Sequence, residues 1–321
     1  GDGACSVSAR EPKPPEAAFR AAVGRLEGSY AIAALIDGTE SILATRQGSP
    51  LVLGVDDARR FLASDVPSFM EFTSRVVYLR DGDVVRLTPG AHSITDADGD
   101  PVSRPIDTVE WGSEDAERGG YDHYMLKEIN EQPDALERTI KGRITDDGRV
   151  DLEAFPEGSF DGISEVHFIS CGTSHHASMY AQQLLRDREI PAFAFTAGEY
   201  ATTPAPVSED TLVVAVTQSG ETADTLASLR SANARGARTL AVTNVVGSTA
   251  AREAEEALFI RAGPEIGVAA TKTFSSQVAA LTLVIERLTV DVTGEPSEDS
   301  EAVLAAIQEL PDAVERVIQR S

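Results

Sequence analysis

The sequence contains little lysine, little cysteine and no long apolar run, and each shortage excludes a class of protein. Its 321 residues include four lysines and two cysteines, and no stretch approaches the roughly 18 consecutive apolar residues of a membrane span. Cys5 and Cys171 form no CxxC pattern, so neither a disulfide framework nor a zinc site is indicated. The N-terminal residues also lack a signal-peptide pattern. We therefore expect a cytoplasmic protein without membrane association.

Positive charge is scarce as a whole. Lysine and arginine total 28 against 52 aspartate and glutamate residues, which gives a formal net charge of −24. Because such a field repels a phosphate backbone, nucleic acid is not an expected partner. An acidic, lysine-poor surface stays hydrated in concentrated salt, so we expect a halophilic protein; the alternative is an ordinary acidic one. The length and a hydrophobic content of 42% suffice for two globular domains.

The N-terminal part of the chain has the pattern of antiparallel strands. Over residues 26–88, short alternating runs are broken by turn residues, including Asp-Gly pairs at 37–38 and 81–82. This pattern predicts strands joined in hairpins. The polar stretch 92–120 interrupts the periodicity, as a linker or a long edge excursion does. We place the domain boundary there.

The remainder of the chain has a different pattern. Residues 121–141 have helical spacing, and beyond Gly162 short β-rich runs alternate with helical stretches. Strict alternation predicts right-handed βαβ units and hence an α/β domain with a doubly wound parallel sheet. The expected strands are 165–170, 192–196, 212–216, 239–243 and 258–260, and the expected helices are 176–186, 222–235, 274–288 and 301–320.

Two polar loops follow strands of this sheet, where open α/β sheets bind their ligands. They are CGTS at 171–174 and TQSGET at 217–222, and each opens a helix. Small residues and hydroxyls at a helix N-terminus favour an anion, so the two loops together predict a phosphate cradle. The alternative is that these hydroxyls cap helices.

The two loops do not form a nucleotide-hydrolysing P-loop. They contain no lysine, and the chain has neither a GxxxxGK[ST] nor a GxGxxG pattern, so no nucleotide cofactor is predicted. Neutral hydroxyl donors suit a phosphate monoester that is held and not transferred. A sugar phosphate is the expected ligand class.

A third segment, 265–274, lies between a β-rich run and a long apolar helix. It contains Glu265 and Lys272, either of which could act on the same ligand as base or charge partner. For Lys272 the alternative is a surface or ion-pair cation. Cys171 with His175 and His176 suggests a nucleophile, although a thiol at a strand end is more often buried packing. An adjacent His pair lacks a third ligand, so no metal is indicated.

The sequences of these loops resemble those of one protein family. CGTS, TQSGETADT and EIGVAATKTF, together with YDHYMLKEINEQP at 121–133, resemble glutamine–fructose-6-phosphate aminotransferase (isomerizing), the glucosamine-6-phosphate synthase family. In the N-terminal half, LEGSYAIAAL, RQGSPLVLG, FLASD and LRDGDVVRLT resemble later strands of that family's glutaminase domain. The resemblance covers nearly all of the chain after Arg25.

The resemblance implies a fold and a domain division. The implied fold is a doubly wound parallel-sheet SIS (sugar isomerase) domain, preceded by an incomplete glutaminase domain of the N-terminal-nucleophile (Ntn) type, which is α+β. We expect a partial glutamine amidotransferase type 2 domain over 1–110, a linker and helix over 111–156, the first SIS domain over 157–297, and a connector helix over 298–321 towards a second SIS domain.

The resemblance also implies site residues. The substrate-binding residues carried over by motif are Thr173, Ser174, Thr217, Gln218, Ser219, Thr222 and the backbone of Val268. Thr217 replaces the usual serine and keeps the hydroxyl. Ala270 replaces a usual serine, so one sugar contact is expected to be missing. No metal or cofactor is implied.

The implied catalytic groups have no match in this sequence. The family's glutaminase uses an N-terminal cysteine in a Cys-Gly-Ile context, which Cys5-Ser lacks, and its isomerase base, ring-opening histidine and lysine belong to the second SIS domain. The family converts fructose 6-phosphate and glutamine to glucosamine 6-phosphate and glutamate. We expect this chain to bind either sugar phosphate, glutamine only with a completed glutaminase domain, and a second copy through its SIS domain. The alternatives are a non-catalytic sugar-phosphate-binding module, an inactive fragment and one piece of a split enzyme.

Overall fold

The N-terminal half consists of two antiparallel sheets in the computed structural model, which describes residues 14–109, 118–152 and 155–320. The sheet orders are β1-β2-β6-β7 and β4-β3-β5-β8. Apolar residues that alternate along the strands, such as Leu53, Val77 and Val85, form a common core between them. The elements are α1 (Pro15–Val23), β1 (Tyr30–Leu35), β2 (Ile42–Gln47), β3 (Val52–Val55), β4 (Arg60–Ala63), a 3-10 turn (Val66–Phe69), β5 (Arg75–Tyr78), β6 (Val84–Thr88), β7 (Ala91–Thr95) and β8 (Asp107–Thr108).

Only one of the two predicted Asp-Gly turns closes a hairpin. The pair at 37–38 joins β1 and β2, which are antiparallel neighbours. The hairpin prediction at 81–82 is wrong, because β5 and β6 belong to different sheets. The Asp81 carboxylate accepts a hydrogen bond from the Gly48 amide (2.9 Å) and pairs with Arg46 (3.2 Å). These contacts with the end of β2 fix the turn as a crossing between sheets.

The polar stretch after residue 92 is an edge excursion. It contains most of β7 and all of β8, which are edge strands of the two sheets. Polar residues suit an edge because one side of such a strand faces water. Residues 110–117 of this stretch lie outside the described ranges.

The C-terminal half begins with two helices where a single helix over 121–141 was expected. They meet at Glu131, and Pro133 occupies the first turn of the second helix. Proline there supplies no amide for a continuous helix. The elements are α2 (Tyr124–Asn130), α3 (Gln132–Ile140), β9 (Glu165–Ser170), α4 (Thr173–Asp187), β10 (Ala192–Thr196), α5 (Ala197–Thr202), β11 (Thr211–Val216), α6 (Ala223–Ala234), β12 (Arg238–Thr243), α7 (Thr249–Glu253), β13 (Glu256–Phe259), α8 (Lys272–Thr293) and α9 (Ser300–Ile318).

The five strands β9–β13 form one parallel sheet in the order β10-β9-β11-β12-β13. Every residue of β11 is buried, as expected for a central strand covered on both faces. Val214 packs in the core with α3, α4 and α8, whereas Val213 and Ala215 pack in the core with α5, α6 and α7. The prediction of a doubly wound parallel sheet is therefore confirmed.

This topology creates one crevice for a ligand. After β9 the chain adds β10 on one side and β11 on the other, so the winding reverses between β9 and β11. Ligands of open α/β sheets bind at the carboxyl ends of the strands at such a switch point. The last helix, α9, covers α3 and α8 and buries Leu304 and Ile307. No helix of the described ranges is both long and apolar enough to cross a membrane.

Candidate functional site

A cavity of about 380 Å³ occupies the crevice at the carboxyl ends of β9 and β11. Three loops surround it: 171–174 after β9, 217–222 after β11, and 265–270 before α8. All seven predicted substrate-binding residues line this one cavity, namely Thr173, Ser174, Thr217, Gln218, Ser219, Thr222 and Val268. Folding therefore brings together three loops that are far apart along the chain.

The first loop turns sharply from β9 into α4. Gly172 has a φ of 59°, in the left-handed region that suits glycine, and α4 begins at the next residue. Ser174 is buried, and its Oγ accepts a hydrogen bond from Gln277 Nε2 at 3.0 Å. Because its oxygen accepts from Gln277, the Ser174 hydroxyl keeps its proton available for an anion.

The second loop is held by its own hydroxyl groups. Thr217 Oγ1 accepts from the Gly220 amide (3.2 Å), and Ser219 Oγ accepts from the Glu221 amide (3.2 Å). Thr222 is the N-cap residue of α6 but makes no side-chain capping bond. Helix capping, the alternative interpretation, therefore does not occupy Thr222. These hydroxyls can donate hydrogen bonds to a ligand beside the positive end of α6.

The third loop contains Glu265, whose oxygens are already engaged. Its Oε1 accepts from the amides of Thr271 (2.8 Å) and Thr273 (3.2 Å), and Oε2 accepts from the Thr273 hydroxyl. The carboxylate thus satisfies donors at the start of α8, as a capping group does. Glu265 lines the cavity, and these hydrogen bonds also give it a structural function at the start of α8.

Lys272 is an ion-pair cation and does not line this cavity. Its Nζ lies 2.5 Å from Glu131 Oε2, and the side chain is buried. It faces a different cavity, beside Asn244 and Gly263. Of the two interpretations considered for Lys272, the ion pair is the one found. Ala270 does line the site, and its methyl group offers no hydrogen bond.

Within the described ranges no hydrogen bond joins the Cys171 thiol to the neighbouring histidines. Cys171 lines the cavity, and its Sγ lies 3.9 Å from Thr225 Oγ1. His175 Nδ1 is buried and has no hydrogen-bond partner among the described residues. Within those same ranges no cluster of His, Cys, Asp and Glu could hold a metal ion. Cys5 lies outside the described residues.

Comparison with known proteins identifies the domain type of the parallel-sheet half. Residues 163–287 match the family model of the SIS domain. The chain contains a SIS domain. A protein from Halobacterium salinarum named glutamine–fructose-6-phosphate aminotransferase (isomerizing) is 48% identical over 301 residues, which is 92% of this chain and 50% of that protein. A protein of the same name from Thermus thermophilus is 42% identical over 94% of this chain and 50% of that protein.

One solved structure agrees in fold. The C-terminal domain of glucosamine-fructose-6-phosphate aminotransferase from Francisella tularensis superimposes with a TM-score of 0.57 at 31% identity. The match covers 61% of this chain and 56% of that one. These similarities confirm the resemblance inferred from the motifs. The chain spans about half the length of the curated relatives it matches.

Glu128 is a functional candidate that the sequence analysis missed. This buried residue of α2 accepts hydrogen bonds from the amides of Ile266 (2.6 Å) and Gly267 (3.0 Å). It therefore holds the third loop of the SIS domain in place beside Val268. Burial raises the pKa of the Glu128 carboxyl, while the two amide bonds oppose that rise. The contact spans 138 residues along the chain, so no local pattern indicates it.

The N-terminal sheets contact the SIS domain through an interface that contains both apolar side chains and carboxyl groups. Val245, which follows β12, packs with Val52, Phe69 and Tyr78. Asp65 caps the 3-10 turn by accepting from the Val66 amide at 2.8 Å. The pKa of Asp65 is raised to about 6, chiefly by burial and also by the nearby Glu221 carboxylate, while the hydrogen bond from the Val66 amide opposes the rise. The interface therefore contains a carboxyl group that titrates near pH 6.

This titration gives a prediction about stability. Because the pKa of Asp65 is raised from 3.8 to about 6 on folding, its contribution to stability is complete below pH 3.8 and is lost as pH rises through 6. The loss amounts to about 3 kcal/mol at most. We expect Asp65→Asn to flatten the fall in unfolding free energy between pH 4 and pH 6, as measured by urea denaturation. The exposed Asp57→Asn is the control, and an Asp65→Asn curve parallel to the parent would contradict the prediction.

Proposed function

We propose that this chain binds a hexose 6-phosphate in the SIS-domain cavity and belongs to a glucosamine-6-phosphate synthase. The observation that carries the proposal is the convergence of Ser174, Thr217, Ser219 and Thr222 on one cavity at the start of two helices. A phosphate dianion gains from such hydroxyl donors and from both helix dipoles.

The donor set suits a phosphate that is held in place. None of the described residues lining the cavity is a lysine or arginine, so the site offers nothing to neutralise a migrating phosphoryl group. Binding energy from the phosphate can instead orient the sugar, as expected when the reacting carbons lie at the far end of the substrate. Thr173, Gln218 and the Val268 backbone are proposed to contact the sugar or its phosphate.

The proposed reaction is that of the family, the conversion of fructose 6-phosphate and glutamine to glucosamine 6-phosphate and glutamate. In it, this chain supplies the phosphate anchor, and the groups for ammonia release and proton transfer come from other parts of the enzyme. We also propose the domain division given above, a homodimer contact through the SIS domain, and glutamine binding only where the glutaminase domain is complete.

A second candidate is a sugar-phosphate-binding module that performs no chemistry. The hydrogen bonds of Glu265 favour it, because the carboxylate lining the cavity is engaged at the start of α8. Both candidates require the same phosphate anchor. They differ in turnover once the remaining parts of the enzyme are supplied.

The test is calorimetric titration of the chain in concentrated KCl with fructose 6-phosphate and glucosamine 6-phosphate. Unphosphorylated fructose and inorganic phosphate serve as the comparison ligands. We expect saturable binding of both sugar phosphates, weaker binding of phosphate and none of fructose. A folded chain that binds neither sugar phosphate would overturn the proposal.

A further inference from the structure

Two sequence motifs meet at a buried ion pair between the halves of the molecule. Arg46 begins RQGSPLVLG in the N-terminal sheets, and Glu221 lies in TQSGET of the SIS domain. Arg46 Nη1 is 3.7 Å from Glu221 Oε2, and both side chains are buried. The proposed function uses Ser219 and Thr222, which flank Gly220 and Glu221, and assigns no part to this ion pair.

Glu221 ties the second loop to the start of α7. Its Oε1 accepts from the Thr249 amide (2.7 Å) and its Oε2 accepts from Thr249 Oγ1 (2.9 Å). The adjacent Gly220 carbonyl accepts from the Ala250 amide (3.0 Å). The Glu221 side chain and the Gly220 carbonyl thus both hold the backbone next to Ser219 against α7.

Arg46 is itself fixed by the N-terminal half. Its Nη1 donates to the Leu79 carbonyl (3.1 Å), and its Nη2 pairs with Asp81 (3.2 Å). The guanidinium thus has a defined position independent of Glu221. Removal of Arg46 leaves Glu221 with its hydrogen bonds from Thr249 and the charge of Arg252. Burial penalises a carboxylate that has lost a paired cation.

We propose that Arg46 is a positioning residue for the sugar-phosphate site, acting through Glu221 on the loop 217–222. The N-terminal half thereby sets the geometry of a binding loop in the SIS domain. This inference rests on the proposed function for its effect on binding. The contact it invokes can be tested without any ligand.

The test compares Arg46→Met, Arg46→Lys, Glu221→Gln and the double variant Arg46→Met/Glu221→Gln with the parent. Arg86→Met is the matched control, since it removes the same charge from β6, next to β2, at an exposed site. Two quantities are measured: the Kd for glucosamine 6-phosphate, and hydrogen exchange of the loops 217–222 and 171–174 in the ligand-free chain.

We expect Arg46→Met to weaken glucosamine 6-phosphate binding about tenfold, a typical coupling between sites. Exchange should become faster in 217–222 and stay unchanged in 171–174. Arg46→Lys should lie between the parent and Arg46→Met, and Arg86→Met should match the parent. The double variant should recover affinity relative to Arg46→Met, because it contains no unpaired buried carboxylate.

Several outcomes would overturn the inference. One is a folded Arg46→Met variant with parental affinity and parental exchange, and another is a double variant that binds no better than Arg46→Met. If Arg46→Met does not fold, the double variant decides, since it is expected to fold and to protect the loop 217–222. If the parent binds no sugar phosphate, the proposed function fails. The hydrogen-exchange comparison still tests whether the contact between Arg46 and Glu221 orders the loop 217–222.

Discussion

Replacing Ser219 and Thr222 together by alanine is expected to abolish sugar-phosphate binding without unfolding the SIS domain. Both hydroxyls line the cavity beside the start of α6. A hydrogen bond to a charged group contributes about 1.5–3 kcal/mol, so losing two lowers affinity by at least about a hundredfold. Calorimetric titration with glucosamine 6-phosphate measures the loss.

The control for this variant is Thr202→Ala/Ser208→Ala. These two hydroxyls also belong to the parallel-sheet half but bond near their own turns, at Gly198 and Thr211, away from the cavity. The control should bind as the parent does, and both variants should melt near the parental temperature. Parental affinity in a folded Ser219→Ala/Thr222→Ala variant would show that the loop does not hold the phosphate.

A methyl group at Gly220 is expected to disrupt the same loop on the side that faces Ser248 and Thr243. Gly220 has a φ of 70°, and a Cβ there would overlap the Ser248 side chain and lie 3.0 Å from Thr243 Oγ1. Left-handed backbone costs an alanine about 1–2 kcal/mol, and overpacking adds about 1–3 kcal/mol. We therefore expect Gly220→Ala to lower the free energy of unfolding by about 2–5 kcal/mol and to weaken sugar-phosphate binding.

Gly236→Ala separates the two causes. Gly236 has a similar φ of 80°, but a Cβ there meets no atom within 4 Å. This variant should lose only the backbone contribution, about 1–2 kcal/mol, and should bind sugar phosphate as the parent does. Urea denaturation measures both variants. Equal losses of stability would mean that the contact with Ser248 is relieved by a small shift.

The strands and binding loops of the SIS domain were predictable because their signals are local. Strands β9 and β10 begin and end at the expected residues, and the ends of β11, β12 and β13 lie within two residues of the expected ones. A buried parallel strand is a short β-branched run bounded by turn residues. The short helices α5 and α7 have no such pattern and were not predicted. The binding assignments themselves remain proposals, although folding gathers their residues at one cavity.

The errors and omissions concern contacts between distant residues. Asp81-Gly82 has the composition of a hairpin turn, yet the contacts of Asp81 with Arg46 and Gly48 hold it as a connection between the two sheets. Lys272 could have faced the ligand or a carboxylate, and the position of Glu131 settles this as an ion pair.

Periodicity and turn residues specify which segments form strands and helices, because hydrogen bonding and alternate burial act over a few residues. They also place the hydroxyl-rich loops directly after parallel strands. The pairing of Glu128 with the third loop depends on how α2 packs against the SIS domain. The pairing of Arg46 with Glu221 depends on how the two halves pack. A buried carboxylate takes whichever donors the assembled fold brings within reach, and Ile266 and Arg46 lie more than a hundred residues along the chain from Glu128 and Glu221.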